Sequence, residues 1–141
     1  MNGAAGGGIV RAAWWGTAAF GITAVAAAAY PEPAAEVPAF VVAITLFAAG
    51  CLAFVVAFLR AVARSRTEAI SVADVFFLTG ETAPRAVKRH LLGALGVQVV
   101  LALATAIARP YSSLAAGTLV PVYGIGLCGL WAARYGTFAR R

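Results

Sequence analysis

Charge is what most of this chain lacks. Four stretches, Ala12–Tyr30, Pro38–Leu59, Leu91–Ala108 and Leu114–Ala133, hold no Asp, Glu, Lys or Arg. Each is about 18–22 residues long, enough for an α-helix to cross about 30 Å of hydrocarbon at 1.5 Å per residue. Pumps, proton-coupled exporters and voltage sensors place ionisable groups inside the bilayer, so their absence argues against all three. Cysteine is scarce as well. Cys51 and Cys128 lie singly in different apolar runs, without the C-x-x-C pair that four-span thiol oxidoreductases need. Both are expected to be small packing residues, facing a reducing compartment where no disulfide forms. His90 is the only histidine, with basic neighbours and no nearby cysteine, which makes it a poor metal ligand.

What is present is apolar. The 141 residues are 62% hydrophobic, so four spans leave no room for a soluble domain beside them. The expected fold is all-α: a single transmembrane domain over residues 1–141, built as a four-helix bundle of two antiparallel hairpins. The remaining charges cluster at segment ends. Arg11, Arg60, Arg64, Arg66, Arg85, Lys88, Arg89, Arg134, Arg140 and Arg141 fall on one side, whereas the other has Arg109 with Glu32 and Glu36. By the positive-inside rule both termini and the loop at about residues 60–90 are cytoplasmic, in a bacterial inner membrane. An alternative for the N-terminus is a signal peptide, with Arg11 as n-region and Ala26–Ala29 as cleavage site. The length of the run and the interfacial pair Trp14–Trp15 favour a retained span.

Only one of the eleven basic residues is lysine, and alanine, glycine and valine are heavily used. In this composition and in its four-span layout the chain resembles small integral membrane proteins common in actinobacteria. The resemblance covers the whole chain and implies a membrane address; it carries no functional residue over.

Along the chain, Met1–Gly8 is expected to be disordered. Pro31 and Pro33 stop the first span, and Pro38 begins the second, which should continue as a helix through Arg60–Arg64. In the loop, Ser71 followed by Asp74 reads as a capping-box start, and Gly80 as a stop. The intervening short helix carries Phe76, Phe77 and Leu78, so it should lie in the interface or against the bundle. Thr82 is expected to cap a further helix, with Pro84 in its first turn, that runs unbroken into the third span. Pro121 should kink the fourth span and strip the Gly117 carbonyl of its partner.

Three groups of residues are candidates for function. Gln98, an amide in hydrocarbon, should bond across helices, to Thr45 or Tyr123 for example, with Thr118 as a further polar contact. Arg85, Lys88, Arg89 and His90 form a basic cluster suited to anionic lipid headgroups. Phe76 and Phe77 are candidate partner contacts. Nucleic acid is not an expected partner, because aromatics do not alternate with the charges. Lone His90, with only Asp74 and Glu81 nearby, does not make a catalytic set, so neither catalysis nor a cofactor or metal is expected. The favoured function is a non-enzymatic accessory, stabilising or regulatory subunit of a larger membrane assembly. The alternatives are a homo-oligomeric channel or transporter, lined by Gln98, Thr105, Thr118 and Tyr123, and, least favoured, a membrane enzyme of lipid or cell-wall metabolism.

Overall fold

The computed structural model describes residues 6–30 and 32–141. In order these form α1 (Gly7–Ala29), α2 (Pro33–Arg64), β1 (Glu68–Ala69), α3 (Val72–Phe76), α4 (Arg85–Ala108), a 3₁₀ helix (Ser113–Leu119), α5 (Pro121–Tyr135) and β2 (Ala139–Arg140). Four helical segments, α1, α2, α4 and Leu114–Tyr135, are long and apolar enough to cross a membrane. Residues 1–5 of the stretch expected to be disordered lie outside the described residues, as does Pro31. The rest of that stretch is ordered, because Gly6 presses against α5. Gly6 adopts a left-handed φ of 71°, and a Cβ there would fall 2.1 Å from the Trp131 indole nitrogen. Only glycine meets both demands at this position.

Two helix boundaries differ from expectation. α2 starts at Pro33, the first helical position, where the missing N–H costs nothing. Pro38 is therefore inside the helix, where it removes the donor due to the Ala34 carbonyl close to the helix start. At its far end α2 does continue to Arg64. The second difference is at Pro121. The segment before it is not a kinked α-helix but a 3₁₀ helix, and Pro121 opens α5 as its first residue. Tighter winding supplies a donor one residue earlier, so Val120 N–H reaches the Gly117 carbonyl at 3.0 Å and leaves it satisfied. The burial pattern follows the same geometry: Leu114, Gly117 and Val120 are buried at every third position.

α5 is the most enclosed of the four apolar helices and α2 the least. They meet along a seam of small residues, with Gly50, Ala57 and Ala61 on α2 and Gly126, Gly129 and Ala133 on α5, all buried. At the crossing the backbones touch. A Cβ on Gly126 would lie 2.4 Å from the Gly50 carbonyl oxygen, and one on Gly50 would lie 2.5 Å from the Tyr123 backbone. Glycine is required there by space rather than by φ. On the opposite face of α2, Leu52, Val55, Phe58 and Leu59 point outward.

Contacts between helix ends gather the charges at two poles. Arg109, following α4, pairs with Glu36 in the first turn of α2 at 2.9 Å. At the other pole Arg64, after α2's apolar run, reaches the last turn of α5, and Trp14 of α1 meets His90 of α4.

Gly126→Ala is expected to lower stability by about 1–3 kcal/mol, because the added methyl would press on the Gly50 backbone, which cannot turn aside as a flexible side chain can. Gly96, whose Cβ would meet nothing within 4 Å, is the matched control, and Gly96→Ala should be neutral or stabilising. Reversible unfolding in mixed micelles compares the two; equal destabilisation would mean that α2 and α5 do not cross here.

Candidate functional site

The apolar interior holds a polar knot. Gln98 on α4 is fully buried, and its amide nitrogen donates to the Thr17 hydroxyl of α1 at 2.8 Å. Thr17 in turn donates to the Ala13 carbonyl at 2.7 Å. Since the Thr17 proton is committed, Gln98 must present its NH₂ and not its oxygen to Thr17, which fixes the amide orientation. The oxygen Oε1 then faces Gly124, with no donor among the described residues. A Cβ on Gly124 would sit 2.6 Å from Oε1, so glycine makes room for the amide. The expected partners, Thr45 and Tyr123, do not serve. Thr45 is on the outward face of α2, and the Tyr123 hydroxyl donates to the Ala12 carbonyl with its ring packed over Gly16. Thr105 is buried but bonds back to Leu101 within its own helix, and Thr118 is exposed and bonds to Ala115.

At the basic pole Arg64 is the organising side chain. The last carbonyls of any α-helix lack intrahelical donors. Arg64 donates to Ala133 at 3.1 Å and Gly136 at 3.0 Å, pairs with Glu68 at 2.8 Å, and lies 4.9 Å from the Phe138 ring centre. A cation at a helix C-terminus is also favoured by the helix dipole. Glu68 and Ala69 then pair antiparallel with Arg140 and Ala139 as the β1–β2 ladder. Further bonds, from Thr137 N–H to Thr82 and from Arg141 N–H to Thr67, stitch the segment after α5 to the loop before α4.

That loop is held from within. The Ser71 hydroxyl accepts the Asp74 N–H at 3.1 Å, the capping contact the sequence pattern predicts. Phe76 and Leu78 are buried: Phe76 stacks on Phe54 at 4.3 Å and fills the space left by Gly129, whereas Phe77 stays exposed. Leu78 takes a left-handed φ of 52° despite its side chain, which drives it inward at the end of α3. Thr82 does not cap α4; its hydroxyl donates to Thr79 at 2.7 Å, and Pro84 precedes the first turn without a side-chain cap. The Asp74 carboxylate accepts from the Thr79 hydroxyl, and this bond, then that from Ser71, holds its pKa below the ordinary 3.8.

Three of the four clustered residues of the sequence split between two recesses, because successive helical positions face about 100° apart. Arg85 and Lys88 border a cavity of about 700 Å³ between the start of α4 and the end of α5. His90 instead stands edge-on to Trp14, with ring centres 6.4 Å apart, beside Arg11 in a separate recess. Arg89 is exposed and lines neither. Sequence reading missed Thr17 as the acceptor for Gln98 and Arg64 as the cap of α5. Gly136, directly after Tyr135, was the one local sign of a helix end in need of a cap. Among the described residues no three His, Cys, Asp or Glu side chains gather into a metal-ligating group. Comparison with protein-family models, with curated proteins and with solved structures finds no match to this chain.

Thr17→Val strands the Gln98 amide and should cost about 1–3 kcal/mol; adding Gln98→Leu should restore most of that loss, and the four-corner unfolding cycle measures it. Asp74 has a lowered folded pKa, so its contribution is present above the unfolded value and fades as pH falls through the folded one. Protection factors at α3, taken relative to the intrinsic exchange rate at each pH, should therefore fall below about pH 4, and Asp74→Asn should flatten that dependence.

Proposed function

We propose that this chain is an integral membrane protein of two antiparallel helical hairpins, its basic pole cytoplasmic, that serves as a non-enzymatic subunit packing against and stabilising a larger membrane assembly. Two features support the membrane orientation. The four apolar segments have spanning length, and the poles differ in charge in the sense of the positive-inside rule. Ten cationic residues, Arg11, Arg60, Arg64, Arg66, Arg85, Lys88, Arg89, Arg134, Arg140 and Arg141, stand against three carboxylates, Glu68, Asp74 and Glu81, at the basic pole.

The observation that carries the accessory role is the closed interior. Gly16 is filled by the Tyr123 ring, Gly117 by Phe20, and the Gly50–Gly126 crossing by backbone. Of the residues proposed as a channel lining, Gln98 and Tyr123 are tied across to α1, Thr105 bonds within its own helix, and Thr118 is turned outward. The least covered of the four segments is α2, whose outer side is exposed from Phe40 to Val62 and is continued by exposed Val72 and Phe77, while α1 and α4 also keep exposed apolar residues such as Ile22 and Ile107. Without a hydrophobic drive between helices in lipid, such a face engages a partner by shape and dispersion.

A mild-detergent pull-down of the tagged full-length chain from its native membrane tests this, read by mass spectrometry. A larger integral membrane protein should be recovered in fixed ratio, and tryptophan substitutions at Leu52 and Val55 should reduce its recovery at least threefold. Recovery of the chain alone as a monomer would refute the accessory role. Recovery as a defined homo-oligomer would replace it with a channel, to be tested by liposome flux.

A further inference from the structure

We propose that the cavity between the start of α4 and the end of α5 is a binding site for the phosphate headgroup of an anionic phospholipid. Its wall is unlike the rest of the molecule. Arg85 and Lys88 supply cations from the first two turns of α4, Trp131 and Tyr135 supply an aromatic floor, and Thr137 and Glu81 complete the rim. The two rings lie 5.8 Å apart and tilted by 45°. Arg134 stands over the Tyr135 ring at 5.5 Å and adds a third cation beside it.

Three observations point to an anion. First, α4 has no acidic residue in its first turn. Cations are the disfavoured sign at a helix start, and Arg85 and Lys88 occupy it nonetheless. Second, neither is neutralised among the described residues. Lys88 donates to the Gly80 carbonyl and Arg85 has no carboxylate partner there, whereas Glu68, the paired acid of this pole, belongs to Arg64. Third, of the described residues on the rim only Glu81 is a carboxylate, so the cavity keeps a net positive charge.

The lipid source follows from depth. Trp131 and Tyr135 close α5 at the pole where Trp14 and Trp15 open α1, and tryptophan and tyrosine mark the headgroup level of a bilayer. At about 700 Å³ the cavity also has room for more than a bare phosphate ion. Arg89 and His90 are excluded from it by their position around α4, so the site uses half of the sequence cluster. This proposal rests on the membrane orientation given above but not on the accessory role, because the lone chain in detergent suffices to test it.

Titration calorimetry of full-length protein in neutral detergent measures it, with dihexanoyl-phosphatidylglycerol, dihexanoyl-phosphatidylcholine and inorganic phosphate as probes. Phosphatidylglycerol should bind at one site, with phosphatidylcholine and free phosphate at least tenfold weaker. Arg85→Gln should weaken phosphatidylglycerol about fivefold, as for the loss of one basic group near the surface. Arg85→Gln with Lys88→Gln should weaken it further, and Arg89→Gln, with the same charge change on the same helix, should leave it within twofold. Because Lys88 also ties down the Gly80 loop, Arg85→Gln alone decides the case if the double variant unfolds early. An equal loss from Arg89→Gln would show diffuse surface charge and overturn the site. Equal binding of phosphatidylcholine would remove the anion requirement, and free phosphate binding as tightly as the lipid would refute the lipid source.

Discussion

The contact of backbone on backbone where α2 crosses α5 is the constraint that sets the remaining geometry. With Gly50 and Gly126 face to face, the two helices are closer than any side chain would allow, and dispersion between main chains acts directly across the crossing. That approach sets where every other face of α5 points. Tyr123 is turned onto Gly16 of α1, Gly124 onto Gln98 of α4, and Gly129 onto Phe76 of the loop. One helix thereby touches all the others, each time with a glycine on one side of the contact. α5 is the most enclosed element because its neighbours were admitted to its backbone.

The same closeness makes Arg64 effective. Running beside α5, α2 delivers its terminal arginine to the carbonyls that α5 leaves unpaired, and a guanidinium has enough donors to serve Ala133 and Gly136 and still pair with Glu68. A lysine has the charge but not the planar fork. The β1–β2 ladder grows from this pair, so a two-residue sheet far too short to stand alone is held by a helix cap. Loop, cap and ladder together make the basic pole a built surface and not a set of loose connections.

Much of the scaffold was readable because it rests on the length of the apolar runs and on local capping. The apolar runs match the four long segments, and α4 does run unbroken from its basic start to Ala108. Ser71 and Asp74 marked α3 because capping is a local rule. The features that escaped reading were long-range. Nothing near Gln98 points to Thr17, 81 residues away, and Thr17 also bonds back within its own helix. Arg64 looked like one positive-inside charge among ten, since only the fold reveals which carbonyls lie within its reach. Thr82 failed as a cap for a different reason: the helix begins at Arg85 with Pro84 at the cap position, two residues beyond Thr82. The clustering of Arg85 to His90 in sequence misled because a helix distributes neighbours around its axis.

The 3₁₀ stretch before Pro121 has an angular consequence. A 3₁₀ helix turns about 120° per residue and an α-helix about 100°, so seven residues wound tightly advance the phase of the next helix by about 140°. The face that α5 shows to α2 is therefore chosen upstream, by Ser113–Leu119 and by the proline that forbids α-winding from propagating backwards. Were that stretch to relax into an α-helix, Gly126 and Gly129 would rotate off the seam, and bulky Leu127 or Trp131 would be carried towards it. In this molecule winding works as a dial, and proline is the stop that holds its setting.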